Sequence, residues 1–516
     1  MNTFVDSTSA NDANLPPHSP AQGRIARHFS WAALVVLILS IILRTWRFDT
    51  WPGINADEAW YGVQAQLLIA SGNNLQTTPT THLTKNSPQP DVEYRTPTGN
   101  VWNPFWMGPR VLLELWGEPS FAKLRAPGLI CGLLTLVVNY WLARWALGRT
   151  LAEITTLVLA VLPVMLAYSR LAWDCSQSVL FCLPVLYIPL AARRGKLYPR
   201  YALALTTTAG FCALWVHPTN LFLAPVAICL CWPLVWQGVS DKTQTLLKFG
   251  LFGGGLCAAW VLGWARAGYP ADWGAFAQSR LGLPSLGIFL GDVVGIFSGA
   301  SVYESISWSY ERDYPWLSAV LATTLLPTVV IVWRYVVLIR NSATANGHTS
   351  DSIPTIPPAD SVDPWIREIA HGTLAGWVSL LFVAGPESLT PGYERYGLWG
   401  VAPIAVLFAL ILSRTGAYGW AWTQAGVLLV SFSIFFVGSF WLTGGLAHPT
   451  YRVTEQLRKE RMAKEFQQGQ RTEFALRIGE ERWWVEWPVR YLTRGGGRFV
   501  EKQPEHDSPL RPAPGS

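Results

Sequence analysis

The chain has 516 residues, half of them hydrophobic and only 14% charged, with 28 tryptophans and a mean hydropathy of +0.24. A soluble domain carries roughly 25% charged residues, so this composition excludes an ordinary soluble globule and points to the bilayer. The net charge of +6 comes from basic residues scattered among apolar runs, which argues against nucleic-acid binding. The seven cysteines fall almost entirely within apolar runs, without a CxxC pair, and read as small hydrophobes.

In chain order, residues 1–29 are polar and rich in Ser, Asn, Ala and Pro, and are expected to be a disordered cytoplasmic lead. Residues 30–442 hold apolar segments long enough to cross about 30 Å of hydrocarbon. They lie at 30–46, 121–143, 150–168, 176–192, 201–216, 219–236, 248–266, 317–339, 370–386, 397–413 and 419–442. The fold class expected is therefore an all-α integral membrane bundle of about 11 spans. The split at His217-Pro218 rests on proline, which breaks a helical ladder. No small-residue cleavage site follows the first run, so it is expected to be an uncleaved span.

The basic loop 191–200, with Arg144, Arg149, Arg334, Arg340 and Arg414, places one side of the bundle in the cytoplasm. The opposite side then carries the loops around Asp57, residue 174, His217 and Arg395. The first external loop, about 47–120, opens with a helical pattern in which Trp60, Val63, Leu67 and Leu68 share a face, as in an interfacial helix. The second, about 267–316, contains Leu286 to Ser298, a re-entrant or interfacial piece. The segment 443–516 is expected to be an extracytoplasmic tail, partly disordered. It has a charged helix near Val453 to Gln470 and a Trp-rich stretch at 482–491 that suits packing on the membrane surface better than stacking on sugar.

Four polar clusters fall on that one side. Asp57 and Glu58 suit a helix N-terminus, where Asn55 or Asp57 would cap, and equally suit acid/base work. Arg170 and Asp174 share a face if the stretch is helical, giving either a local ion pair or a charge facing Asp57. His217 reads either as a hydrogen-bonded structural residue or as a lining residue of a polar cavity. Arg395, between Glu394 and Tyr396, reads as a phosphate clamp or as an interfacial arginine in a belt of Tyr393, Tyr396 and Trp399. Acids and arginines alternate among these clusters, as an anionic lipid-linked substrate and a proton transfer require.

In its first span ending Arg44-Thr-Trp-Arg47-Phe-Asp, followed by Asp57-Glu58-Ala-Trp-Tyr, the chain resembles the GT-C class of membrane glycosyltransferases. The branch it resembles is the bacterial ArnT-like and protein O-mannosyltransferase-like one. Arg125-Ala-Pro-Gly, Ser169-Arg170-Leu-Ala-Trp-Asp174 and Glu394-Arg395-Tyr396 with Pro403 fit the same order, and the likeness covers about 30–445. The resemblance implies sugar transfer from a polyprenyl phosphate to an acceptor hydroxyl, with inversion, on the extracytoplasmic face of a bacterial inner membrane. The acceptor, whether lipid, glycan or protein, is not legible. Asp57 would be the general base, Glu58 its orienting neighbour or an acceptor ligand, and Asp174 the second acid. Arg395, Arg170 and Arg125, with Tyr396, would hold the donor phosphate, and Tyr61, His217 and Glu394 would line the acceptor side. Some relatives hold a divalent metal between first- and second-loop acids, here Asp57 and Asp174. No cofactor is otherwise implied. The competing class is a membrane transporter or lipid flippase. It predicts mid-membrane charges and an internal repeat, neither evident in the sequence.

Overall fold

A computed structural model describes residues 20–54, 56–70, 105, 107–236, 243–244, 250, 286–306, 316–345, 363–384, 394–438, 453–477, 482–494 and 498–502. Helix α1 (Pro20–Thr45) leads into the first external loop, which holds α2 (Ala56–Ala70) and α3 (Met107–Glu114). The bundle continues through α4 (Phe121–Leu147), α5 (Arg149–Val161), α6 (Pro163–Tyr168), α7 (Ser178–Arg193), α8 (Pro199–Val216) and α9 (Ala224–Trp236). It is completed by α10 (Leu286–Ser298), α11 (Ala300–Ile306), α12 (Trp316–Ala322), α13 (Leu326–Ala345), α14 (Asp363–Ala384), α15 (Val401–Thr415) and α16 (Gly419–Phe432). Six helices among the described residues are long and apolar enough to cross a membrane. Their flanks expose large apolar side chains, among them Trp141 and Trp333, as a lipid-facing surface does. Span 248–266 lies outside the described residues.

Several expectations shift here. Residues 20–29, expected within the disordered lead, belong to α1. The chain is an all-α bundle, as expected, apart from one small sheet. Its C-terminal segment places α17 (Val453–Gln467) and α18 (Trp487–Leu492) with a two-stranded parallel sheet, β1 (Glu473–Arg477) and β2 (Arg498–Lys502), register Phe474 to Phe499. Parallel strands need a crossover, and α18 supplies it. Met462, Phe474, Val485 and Val489 fill the small core between them.

Inside the bundle, breaks in helices are met by polar side chains. Pro163 has no N–H to give the carbonyl of Leu159, so α5 stops at Val161. Arg44 from α1 donates to Leu159 O (3.2 Å) and Ala160 O (3.0 Å), and Ser40 Oγ donates to Ala160 O (2.8 Å). A buried arginine in a span is tolerated where carbonyls left by such a break receive it. Asn139 ties three helices together. Its amide donates to Thr155 (3.1 Å) and Thr156 (2.9 Å) and accepts from Tyr187 Oη (2.8 Å). At the basic end, Arg193 pairs with Glu368, and Arg194 stacks 5.2 Å over Trp365. Gly128 and Gly132, one turn apart on α4, let the turn after α6 come close. A Cβ at Gly128 would meet Leu171 O at 2.5 Å, and one at Gly132 would meet Ser169 Cβ at 2.4 Å.

Candidate active site

That close approach carries Arg170 inward. The helix ends at Tyr168 and a 3-10 turn follows at Asp174–Gln177, so Arg170 and Asp174 do not lie on one helical face. The Arg170 side chain is fully buried and is spent on the first loop. It donates to Trp51 O through Nε (3.1 Å) and Nη2 (2.7 Å), to Trp46 O (2.6 Å) and Arg47 O (3.2 Å), and to Leu43 O. Trp51 is anchored in turn, its Nε1 donating to Phe436 O at 3.2 Å. Arg170 pins the loop rather than reaching a phosphate.

Arg125 behaves likewise. Nε and Nη2 fork onto Glu58 at 2.8 and 2.7 Å, and the remaining donors go to Phe48 O (3.0 Å), Pro52 O (2.7 Å) and Gly53 O (3.1 Å). These five bonds use all five guanidinium N–H groups. Glu58 Oε2 also accepts the Ala172 N–H at 2.7 Å, and both side chains are 0% exposed. Glu58 and Arg125, expected at the acceptor and the donor phosphate, are instead a buried bolt joining α2, α4 and the turn at 172.

Asp57, the preceding residue, points elsewhere. It is in the first turn of α2, where an anion suits the helix dipole, and its carboxylate is 34% exposed. Arg395 Nη1 lies 3.4 Å from its Oδ2. The Arg395 guanidinium stacks 4.8 Å over Trp173 and 5.4 Å over Tyr396. Tyr396 stacks on His217 at 5.8 Å, and His217 Nδ1 contacts Thr219 Oγ1 at 2.7 Å. Tyr61, one turn along α2, is within electrostatic reach of Arg395. Stacking engages the faces of a guanidinium and directs its N–H groups outward in plane, the geometry that forks onto paired oxygens. The helix break at His217 is real: α8 ends at Val216 and a 3-10 turn covers Pro218–Leu223.

Asp57, Trp173, His217, Arg395 and Tyr396 therefore meet at one end of the bundle. Asp174 and Glu394 sit on turns there, with backbone described and side chains outside the description, and Asn55 and Tyr393 lie outside the described residues. The sequence motif at 169–174 gives Trp173 no role of its own. Its signal was an aromatic beside an acid at a span end. For the metal, among the described residues no group of three or more His, Cys, Asp or Glu is gathered. Asp57, the acid placed here, faces a guanidinium, and its expected partner Asp174 has its side chain outside the described residues.

An apolar cavity of about 300 Å³ runs between α7, α8 and α9, lined by Leu203, Phe211, Leu214, Leu221 and Ile228, with Asn220 among its few polar groups.

The C-terminal segment completes the surroundings. Trp487 and Tyr491 are buried with Ile54, Ala59, Val63, Phe121 and Leu124. Tyr491 Oη donates to Glu114 Oε1 at 2.6 Å, and a Cβ on Gly62 would meet its ring at 2.5 Å. Burial, then the neighbouring Glu114 carboxylate, pushes the Tyr491 phenol well up. Trp487 of the Trp-rich stretch thus packs on α2 and α4 rather than on a membrane surface, and it covers the Val63 side of α2, whose Trp60 and Leu68 stay half-buried. The outward apolar pattern belongs to Leu112 of α3 and to Leu115 and Trp116 beyond it.

A chain of many apolar helices with an acid–guanidinium pair at one end is the class these features define. No protein-family profile matches the chain, and no curated protein sequence matches it. The helical arrangement is similar to ArnT from Cupriavidus metallidurans, apo, at 15% identity and TM-score 0.44, over 92% of this chain and 77% of that one. The undecaprenyl-phosphate-bound form of that ArnT gives 16%, 0.43, 92% and 77%. The Archaeoglobus fulgidus oligosaccharyltransferase in complex with Zn and sulfate gives 14%, 0.41, 90% and 61%.

Proposed function

We propose that the chain is a membrane glycosyltransferase that moves a sugar from a polyprenyl phosphate to an acceptor hydroxyl, with inversion, at the extracytoplasmic face. The observation that carries the reading is the pairing of a partly exposed Asp57 with a stacked Arg395 at the end of the bundle away from the basic loop. Arg395 forks onto the donor phosphate, and Asp57 accepts the proton of the attacking hydroxyl. The acceptor oxygen bonds to the anomeric carbon as the bond from that carbon to the phosphate oxygen breaks. The electron pair leaves on the phosphate, whose growing charge the guanidinium stabilises. A single displacement of this kind inverts the anomeric centre. The apolar cavity between α7, α8 and α9 suits the prenyl chain. Glu58, Arg125 and Arg170 act by holding the loop and not by touching substrate.

The test is in vitro transfer from a panel of polyprenyl-phosphate sugars, comparing wild type with Asp57→Asn. Wild type is expected to transfer one of them. The variant is expected to stay folded and lose turnover by about 10²–10⁴-fold, the usual worth of a positioned base. Equal turnover removes Asp57 as the base.

A further inference from the structure

Lys459 lies on α17, far along the chain from Asp57, yet it is 1% exposed and its Nζ donates to Ile54 O at 3.2 Å. One turn away Gln456 donates to Asp49 O at 3.1 Å, so two α17 side chains grip the loop that leads into α2. The charged groups that act on Lys459 are Glu455 and Arg458 of its own helix, Glu58 of α2 and Arg125 of α4. Arg125 already neutralises Glu58, so Lys459 adds a buried cation to a satisfied pair. A methionine of similar length would fill this space without the desolvation cost. What the ammonium adds is a charged hydrogen bond to the carbonyl three residues before Asp57.

We propose that Lys459 is a positioning residue for Asp57, so that the C-terminal segment is part of the reacting unit rather than an appendage. This rests on the reading of Asp57 as the base. A misplacement of about 1 Å in such a group costs on the order of 10²-fold in rate, so a loosened loop slows chemistry without emptying the site.

Burial, countered by Glu455 and Glu58 and aided by Arg458 and Arg125, brings the Lys459 pKa down from 10.5 to about 8. As pH rises through about 8 the ammonium and its hold on Ile54 weaken. The unfolded chain keeps its proton up to 10.5, so between these values the contribution of Lys459 to stability rises. Activity and stability therefore move in opposite directions over that window, which a purely structural lysine would not produce.

The experiment uses full-length protein with Lys459→Met and Lys459→Arg. It reads sugar transfer against pH, thermal unfolding, and amide hydrogen exchange in peptides covering residues 46–60. The expectation for Lys459→Met is at least a tenfold fall in kcat with donor KM unchanged, an unfolding temperature no lower than wild type, and faster exchange in 46–60. Lys459→Arg is expected to restore most of kcat and to move the alkaline limb upward, since guanidinium keeps its charge. Wild-type kcat and wild-type exchange in Lys459→Met overturn the proposal. If Lys459→Met does not fold, an alkaline limb unchanged in Lys459→Arg overturns it. If wild type transfers no sugar, the glycosyltransferase reading fails on its own, and exchange in 46–60 still decides whether Lys459 holds the loop.

Discussion

Asp57 and Glu58 are neighbours in sequence and opposites in environment. Each has an arginine partner, but Glu58–Arg125 is 0% exposed on both sides while Asp57–Arg395 is 34% and 19% exposed. The buried pair has every donor committed and joins three parts of the chain. The other pair lies at the end of a helix and between two aromatic faces. A buried ion pair stabilises only when its geometry is complete, and it leaves nothing over for a ligand. A partly solvated pair 3.4 Å apart is loose enough to be replaced by substrate oxygens. Burial, and not residue type, divides the fastening carboxylate from the one proposed to react.

That contrast breaks most sharply in two substitutions that each remove one negative charge. Asp57→Asn is expected to lower turnover by about 10²–10⁴-fold with unfolding unchanged. Glu58→Gln is expected chiefly to lower stability, by about 3–5 kcal/mol because Arg125 is left buried and uncompensated, with the folded fraction losing far less turnover than Asp57→Asn. Thermal unfolding in detergent beside a transfer assay separates the two, and the same phenotype for both would erase the distinction. Arg395→Lys tests the open pair from its other side. A point charge replaces the planar fork, so donor KM is expected to rise about tenfold with the protein folded normally. A wild-type KM would mean that Arg395 does not bind the donor. At the small end stands Arg149–Glu153, an exposed i,i+4 pair at 2.8 Å with Arg149 65% exposed. Arg149→Gln is expected to change stability by less than about 0.5 kcal/mol, and a larger loss would show that exposure is a poor guide in this protein.

Much of the bundle is legible along the chain because apolar length and proline act locally. The spans at 121–143, 176–192 and 397–413 lie within helices, and the break at His217 falls where Pro218 removes a donor. The gathering of Asp57, His217 and Arg395 at one end follows from alternation of spans, which is also a local count. The roles of Arg125 and Arg170 were less legible. An arginine at a span end reads the same whether it meets a phosphate or a ring of carbonyls, and those carbonyls come from Leu43 to Gly53, far away in sequence.

The C-terminal segment marks the same boundary. Trp487 and its neighbours form a pattern equally suited to an interface and to a core, and only the gap at Gly62 that receives Tyr491 decides for the core. By itself the sequence determined that this is a chain of many apolar helices, where most of them start and stop, and which end collects the acids and arginines. The tertiary structure alone decided that Glu58 is a fastening, that Asp57 meets Arg395, that Lys459 grips the loop before α2 and that Tyr491 packs on α2. The physical reason is range. Hydropathy, capping and proline act within a few residues, whereas the burial of a charge depends on partners that folding brings from more than sixty residues away, as with Glu58 and Arg125.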